Sequence, residues 1–267
     1  MNRVVSKDGT PIAYDKTGQG PAIILVGGAL SNRLAAAPLA ALLSPHLTVF
    51  AFDRRGKGDS GDTPPYAVER EVEDVSALIQ IAGGSAFVFG TSSGAVLSLH
   101  AAAHGLAINK LAVYEPPFIV DNERAPIRND FATRVSTLLS SGKRGDAVTL
   151  FMTEALEVPA QAIDQMRNAP MWAGMEKVAH TLPYEFAILG DMQSGSPAPL
   201  KRWLSIAIPT LVMAGGASPA YMRNSAQALA DVLPHSVHRT LDGQTHSADP
   251  AVLAPVLIEF FSRSNDG

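Results

Sequence analysis

The 267-residue chain carries 21 Lys+Arg against 25 Asp+Glu, a formal charge of −4, and 46% of it is apolar. That is enough apolar material for one large α/β domain, with no basic excess to neutralise nucleic-acid phosphates. Cysteine is absent, which removes disulfides, thiol nucleophiles, thiolate zinc sites and iron–sulfur clusters together. Met1 to Asp8 contains Arg3 and Lys7 but no apolar run of the secretory kind. The most lipid-like stretch, Leu34 to Phe52, is broken by Pro38, Ser44, Pro45 and His46. The expectation is therefore a cytoplasmic protein with no membrane span and no nucleic-acid partner.

In chain order, Val4 to Tyr14 predicts a hairpin around the Asp8-Gly9 turn pair. Ala22 to Val26 is a short continuous apolar run, the pattern of a strand buried on both faces, and it ends in Gly27-Gly28. Leu34 to Leu43 reads as a helix and Leu47 to Phe52 as a buried strand. The polar, glycine-bearing loop Asp53 to Ser60 follows. Ala67 to Ala82 is an amphipathic helix, Ala86 to Phe89 a strand, Ser93 to His104 a helix and Leu111 to Tyr114 a strand. From Pro117 to Leu200 the periodicity is helical only, with Asn129, Asp146 and Pro159 as candidate helix starts and Pro170 and Pro183 as punctuation. Thr210 to Ala214 and Ser236 to Leu241 then read as strands. Ala220 to Leu233 and Pro250 to Phe261 read as helices. Repeated strand–helix units imply a mainly parallel sheet flanked by helices. Residues 1–118 and 202–267 would form this core, and residues 119–201 an inserted helical lid over the strands' carboxyl ends.

The strongest chemical signal is Gly90-Thr91-Ser92-Ser93-Gly94, which follows a buried strand and opens a helix. A nucleophile elbow needs that context: the central serine sits in a sharp turn, so the positions two before and two after must lack bulk. Ser92 would stand at a helix N-terminus, whose dipole favours a developing oxyanion. A glycine-flanked turn without chemistry is the plain alternative.

Leu25-Val26-Gly27-Gly28-Ala29, the Asp53-to-Ser60 loop, the Ser92 elbow and Gly243-Gln244-Thr245-His246 together resemble the α/β-hydrolase fold, over nearly the whole chain. The resemblance implies that Ala29 and Ser93 supply the backbone N–H groups of an oxyanion hole. The His of the family's frequent His-Gly-x segment is missing here. It also implies that His246, in a loop after the last strand, is the general base. His46, His100, His104, His180, His235 and His238 lie in or beside predicted strands and helices, as surface or core residues do. The usual triad acid would sit in a Gly-x-x-Asp arrangement after Leu211 to Ala214. This chain reads Gly215-Gly216-Ala217-Ser218-Pro219, with Ser218 in place of the acid. Some members carry the acid one strand earlier, where Glu115 stands, giving the order Ser92, Glu115, His246. Asp242 and Asp249 are fallback acids, and a cap on the Pro116-Pro117 turn is the other use for Glu115. The Gly-x-Ser-Ser-Gly elbow, the strand-end Glu115 and the Gly-Ala-Ser-Pro stretch are similar to the zearalenone-type lactone hydrolases.

Asp53 and Arg54 read as residues that hold their loop. Gly28 and the lid residues Met171, Trp172, Met175 and Tyr184 are candidates for the substrate pocket, with Tyr221 and Met222 behind them. Serine at the elbow disfavours the carboxylate-nucleophile branches of the fold, the haloalkane dehalogenases and epoxide hydrolases. No metal or organic cofactor is implied. The expected activity is hydrolysis of a carboxylic ester or lactone of an apolar small molecule through an acyl-enzyme on Ser92. Two rivals stay open: the same triad cleaving C–C bonds or catalysing a non-hydrolytic reaction, and a small-molecule receptor on this scaffold. Monomer and homodimer are equally compatible with the sequence.

Overall fold

Apolar residues that alternate between two buried faces build the centre of the molecule. In the computed structural model, which describes residues 1–263, the strands are β1 (Asn2–Val5), β2 (Pro11–Thr17), β3 (Ala22–Val26), β4 (Thr48–Phe52), β5 (Ala86–Thr91), β6 (Ile108–Tyr114), β7 (Thr210–Gly215) and β8 (Ser236–Leu241). They form one sheet in the order β1-β2-β4-β3-β5-β6-β7-β8. β2 pairs antiparallel with β1 and β4, and every other pairing is parallel. Along β3, Ile24 and Val26 face one apolar cluster while Ile23 and Leu25 face the other. Val88 and Phe89, Val113 and Ala112, and Val212 and Leu211 divide in the same way. This two-residue period explains why the strands read as unbroken apolar runs.

The sheet is covered by α2 (Val68–Ile81), α3 (Ser93–Ala103) and α9 (Ala220–Val232) on one face. On the other lie α1 (Ala37–Leu43) and α10 (Pro250–Ser262). Each fully buried Leu, Ile or Val in these layers contributes about 1.5–3 kcal/mol of transfer free energy. The first predicted helix is composite: Arg33–Ala36 is a 3₁₀ turn capped by the Asn32 side chain, and Pro38 then sits in the first turn of α1.

Between β6 and β7 lie α4 (Phe131–Ser140), α5 (Arg144–Leu150), α6 (Ala160–Arg167), α7 (Pro170–Val178) and α8 (Leu182–Leu189). They share a separate apolar cluster, including Phe131, Val148, Ile163 and Leu182, against which Ala29 and Leu30 of the core pack. Two expected helix starts shift. Asp130, not Asn129, is the N-cap of α4, and its carboxylate is taken up by Arg128 and makes no cap bond. Asp146 lies inside the first turn of α5, behind Lys143. Pro159 precedes α6 as its N-cap, and Pro170 and Pro183 open α7 and α8, where a missing N–H costs nothing. After α5 the chain continues as one π-helical turn, Phe151–Ala155.

Candidate active site

Three non-glycine residues with positive φ stand at the carboxyl ends of adjacent central strands: Leu30 (φ 55°) beyond β3, Ser92 (φ 55°) after β5 and Glu115 (φ 46°) after β6. Such backbone costs about 1–3 kcal/mol per residue and persists only where the surroundings impose it. At the elbow the imposing contacts are visible. A Cβ on Gly94 would collide with the Val26 and Gly27 carbonyl oxygens. One on Gly90 would lie 2.5 Å from Gly94 O and Ser98 Oγ. Ser92 N–H donates to Tyr114 O (2.9 Å), which ties the turn to β6. Ser92 makes no cap bond with its own side chain, so its hydroxyl is not spent on α3.

Glu115 is fully buried, and its two oxygens are used separately. Oε1 accepts from Gly215 N–H (2.7 Å), and Oε2 lies 2.7 Å from Nδ1 of His246. Burial on its own raises the carboxyl pKa. The bond to His246, the nearby Ser218 hydroxyl and the Gly215 N–H outweigh that and hold it below its ordinary value. Ser218 itself is buried and its Oγ has no hydrogen bond of good geometry. His246 is one-third exposed, so its far edge opens to the cavity while Nδ1 is held from behind. The His246 loop is pinned by Tyr114 Oη, which donates to Thr245 O (2.5 Å), and by Ala217 N–H, which donates to Gln244 O (2.9 Å). Asp249 is used elsewhere: its carboxylate caps α10 through Ala251 N–H (2.8 Å). Asp242 is exposed on the same loop.

Ser92, His246, Gly28 and Ala29 line one cavity of about 710 Å³, within the range of small-molecule sites. Its walls are mostly apolar. Leu30, Phe151, Met152, Leu156, Met175 and Val178 face it from the loop after β3 and from the lid. Gly28 abuts the elbow so closely that a Cβ there would lie 3.0 Å from Ser92 Cβ. The N–H of Ser93 is the first of α3, a position without an intrahelical acceptor.

Of the expected pocket residues, Gly28, Met171 and Met175 line the cavity, with Met171 exposed beside it. Trp172 does not. Met171, Met175 and Val178 share one helical stripe, and Trp172 points to the next, into the lid's own core, with its indole N–H on Glu176 (3.0 Å). Tyr184 also lies elsewhere: its ring stacks on Tyr66 at 3.8 Å and its hydroxyl donates to Asp62 (2.8 Å). Tyr221 is buried beneath Arg124, which donates to its hydroxyl (3.0 Å), and Met222 is buried beside it. Phe151, Met152 and Leu156 were not among the sequence candidates. A π-helical turn leaves no periodic signature from which their direction could be read.

Beneath the cavity floor is a buried ionic cluster. Arg54 bonds Glu71 through Nε (2.7 Å) and Nη2 (2.8 Å), and meets Glu185 of α8 through Nη1 (2.9 Å). Lys57 Nζ donates to Glu185 (2.6 Å) and to Gly28 O (3.0 Å). Burial raises the Glu185 carboxyl pKa, but Arg54 and Lys57 overcome it and bring it down to about 2. Asp53, fully buried, accepts from the backbone N–H of Arg33 (2.7 Å) and of Asp59 (2.9 Å) and from the Arg33 guanidinium. Both Asp53 and Arg54 thus brace their loop.

Residues 23–256 match the model of the alpha/beta hydrolase family. An alpha/beta hydrolase from Sphaerobacter thermophilus DSM 20745 is 59% identical and superposes with a TM-score of 0.92, over 98% of this chain and all of that one. A pimeloyl-[acyl-carrier protein] methyl ester esterase of Xylella fastidiosa (strain M12) is 27% identical over 181 residues, 62% of this chain and 69% of that protein. The esterase RhEst1 from Rhodococcus sp. ECU1013 is 20% identical with a TM-score of 0.71 over 98% of each chain, a likeness of fold.

Proposed function

The chain belongs to the alpha/beta hydrolase family, and within it we propose a cofactor-independent serine hydrolase that cleaves a carboxylic ester or lactone of an apolar small molecule. The observation that carries this reading is the conjunction of a strained Ser92 at an elbow with His246 held at Nδ1 by the buried, ionised Glu115. Ester specificity is supported by the likeness to the pimeloyl methyl ester esterase, and an apolar substrate by the cavity walls.

In this reading Ser92 Oγ attacks the carbonyl carbon while His246, through Nε2, takes its proton. Glu115 fixes the tautomer by accepting Nδ1–H and stabilises the imidazolium that forms. The tetrahedral oxyanion is held by the N–H groups of Ala29 and Ser93. The C–O bond to the leaving alkoxide breaks as His246 returns the proton to it, which leaves an acyl-Ser92. Water, deprotonated by His246, attacks the acyl carbon, and collapse of that second intermediate frees the acid and restores Ser92–OH. A lactone follows the same path, with acid and alcohol on one product.

The test is labelling with a fluorophosphonate, read by intact mass, for wild type and Ser92→Ala. One adduct on wild type and none on the variant is expected. A folded wild-type protein that does not label overturns the reading.

A further inference from the structure

The peptide between Gly28 and Ala29 has an unusual environment on its carbonyl side. Gly28 O accepts from Ser31 Oγ (2.9 Å) and from Lys57 Nζ (3.0 Å). In a planar trans peptide the C=O and the N–H point in opposite directions. Whatever fixes the Gly28 carbonyl therefore also aims the N–H of Ala29. Lys57 is 1% exposed, so its ammonium is withdrawn from water. There a charged donor to a peptide oxygen is strong, and it polarises the amide so that its N–H becomes a better donor. The partner of Lys57 on its other side is Glu185, which comes from the lid helix α8 (2.6 Å). The same cluster reaches the second N–H donor of the reading above: Arg54 Nη1, itself paired with Glu185, lies 3.4 Å from Ser93 Oγ and from Gly27 O.

We propose that Lys57 is a positioning residue for the oxyanion hole: held by Glu185 of the lid, it grips the Gly28 carbonyl and so aims and polarises the Ala29 N–H. This rests on the serine-hydrolase reading and adds to it a residue that touches neither substrate nor Ser92. The competing role for Lys57 is that of a counter-ion that only neutralises Glu185 and fastens the lid. The two roles separate on charge balance. Lys57→Met leaves two buried carboxylates facing Arg54 alone, so it loses stability under either role. Lys57→Met combined with Glu185→Gln leaves the balanced pair Arg54–Glu71, and removes the donor to Gly28 O just the same.

The experiment measures kcat and KM on p-nitrophenyl butyrate, and inhibition by a trifluoromethyl ketone beside its parent methyl ketone. The fluoroketone forms a hemiketal whose oxyanion needs the hole, and the parent ketone reports ground-state binding. In the charge-balanced double variant kcat is expected to fall about 10- to 100-fold, a fraction of what deleting a direct donor costs, with KM nearly unchanged. The fluoroketone weakens by a similar factor and the parent ketone does not. Ser31→Ala removes the other donor to the same carbonyl from a partly exposed site, and lowers kcat severalfold at unchanged melting temperature. If the double variant regains wild-type kcat along with its stability, Lys57 is only a counter-ion and the proposal falls. If the double variant does not fold, the single variant Lys57→Met, assayed at a temperature where it stays folded, decides: unchanged kcat and unchanged fluoroketone inhibition there overturn the grip on Gly28. Failure of the underlying reading shows separately, as a wild-type protein that neither labels with a fluorophosphonate nor turns over.

Discussion

The floor and the roof of the cavity are built on different physics. The floor carries Ser92, Glu115, His246 and the loop after β3. It is fixed by short polar bonds to backbone, by positive-φ turns at the ends of adjacent strands and by a buried ionic cluster. The roof carries Phe151, Met152, Leu156, Met175 and Val178, apolar side chains on short helices and a π-helical turn. Directional bonds hold reacting groups to fractions of an ångström, which chemistry demands. Non-directional apolar contact tolerates changes of shape and selects substrates by volume. Changes on the floor should therefore act on kcat for every substrate, and changes in the roof on the ranking of substrates.

The largest effect expected of this contrast is Ser92→Ala, a loss of roughly 10⁴-fold or more in kcat for any ester, measured on purified protein with an unchanged melting temperature. Glu115→Gln comes next. The amide keeps the shape, but its carboxamide cannot stabilise the imidazolium, and turnover falls by about 10²- to 10⁴-fold. Near-normal turnover in that variant would take the acid's role away from Glu115. In the roof, Met175→Ala enlarges the cavity without touching a polar bond. A series of p-nitrophenyl esters of increasing acyl length should shift its optimum upward. The changes in kcat/KM should be about 10-fold, since a few methylenes of contact are worth only about 1–3 kcal/mol. A uniform loss across the series would mean that the lid, too, belongs to the chemistry.

The same contrast decides what could be read from the amino-acid sequence. The strands were legible because both sheet faces are buried, so β3, β7 and the stretches Ala86 to Phe89 and Leu111 to Tyr114 appear as apolar runs, while Asn109 and Lys110 hid the start of β6. The elbow was legible because close approach of α3 to β3 and β5 leaves room only for glycine at 90 and 94. Glu115 could be named as a candidate because Ser218 occupies the customary place of the acid. The lid resisted such reading. In α7, Met171, Trp172 and Met175 are all apolar, and which of them face the cavity depends on how that helix is rotated. Trp172 turns inward because Glu176 receives its N–H, and Tyr184 because Tyr66 offers a ring to stack on. The tie between Lys57 and Glu185 spans 128 positions of chain and has no local signature.

The anchoring of the roof to the floor can be tested by acid. Burial would raise the Glu185 pKa, yet Arg54 and Lys57 bring it to about 2 in the folded protein, below the ordinary 4.5. A carboxyl with a depressed folded pKa stabilises fully above its unfolded pKa, and that contribution is lost as pH falls toward the folded one. The urea midpoint of wild type should therefore exceed that of Glu185→Gln above pH 4.5. The gap should close progressively between about pH 4.5 and 2. A gap that stays constant from pH 7 down to pH 3 would mean that Glu185 acts through its shape and not through its charge.

The smallest effect separates a residue in the roof's core from one in the roof's inner surface. Trp172 is buried at 7% exposure, and Arg167 lies over its ring at 5.3 Å. Trp172→Phe keeps most of the apolar contact but strips Glu176 of its donor, and Glu176 is only half-buried, so water can replace the bond. The expected cost is about 1 kcal/mol of stability, a melting shift of roughly 2–4 °C in a chain of this size. Because Trp172 packs inside the lid and not against the cavity, kcat and KM on every ester of the series should stay at wild-type values. A shift in the preferred acyl length would instead put this side chain among the cavity walls. The helix would then be rotated by about one residue, roughly 100°, and Met175, its neighbour across the stripe, would cease to control acyl length.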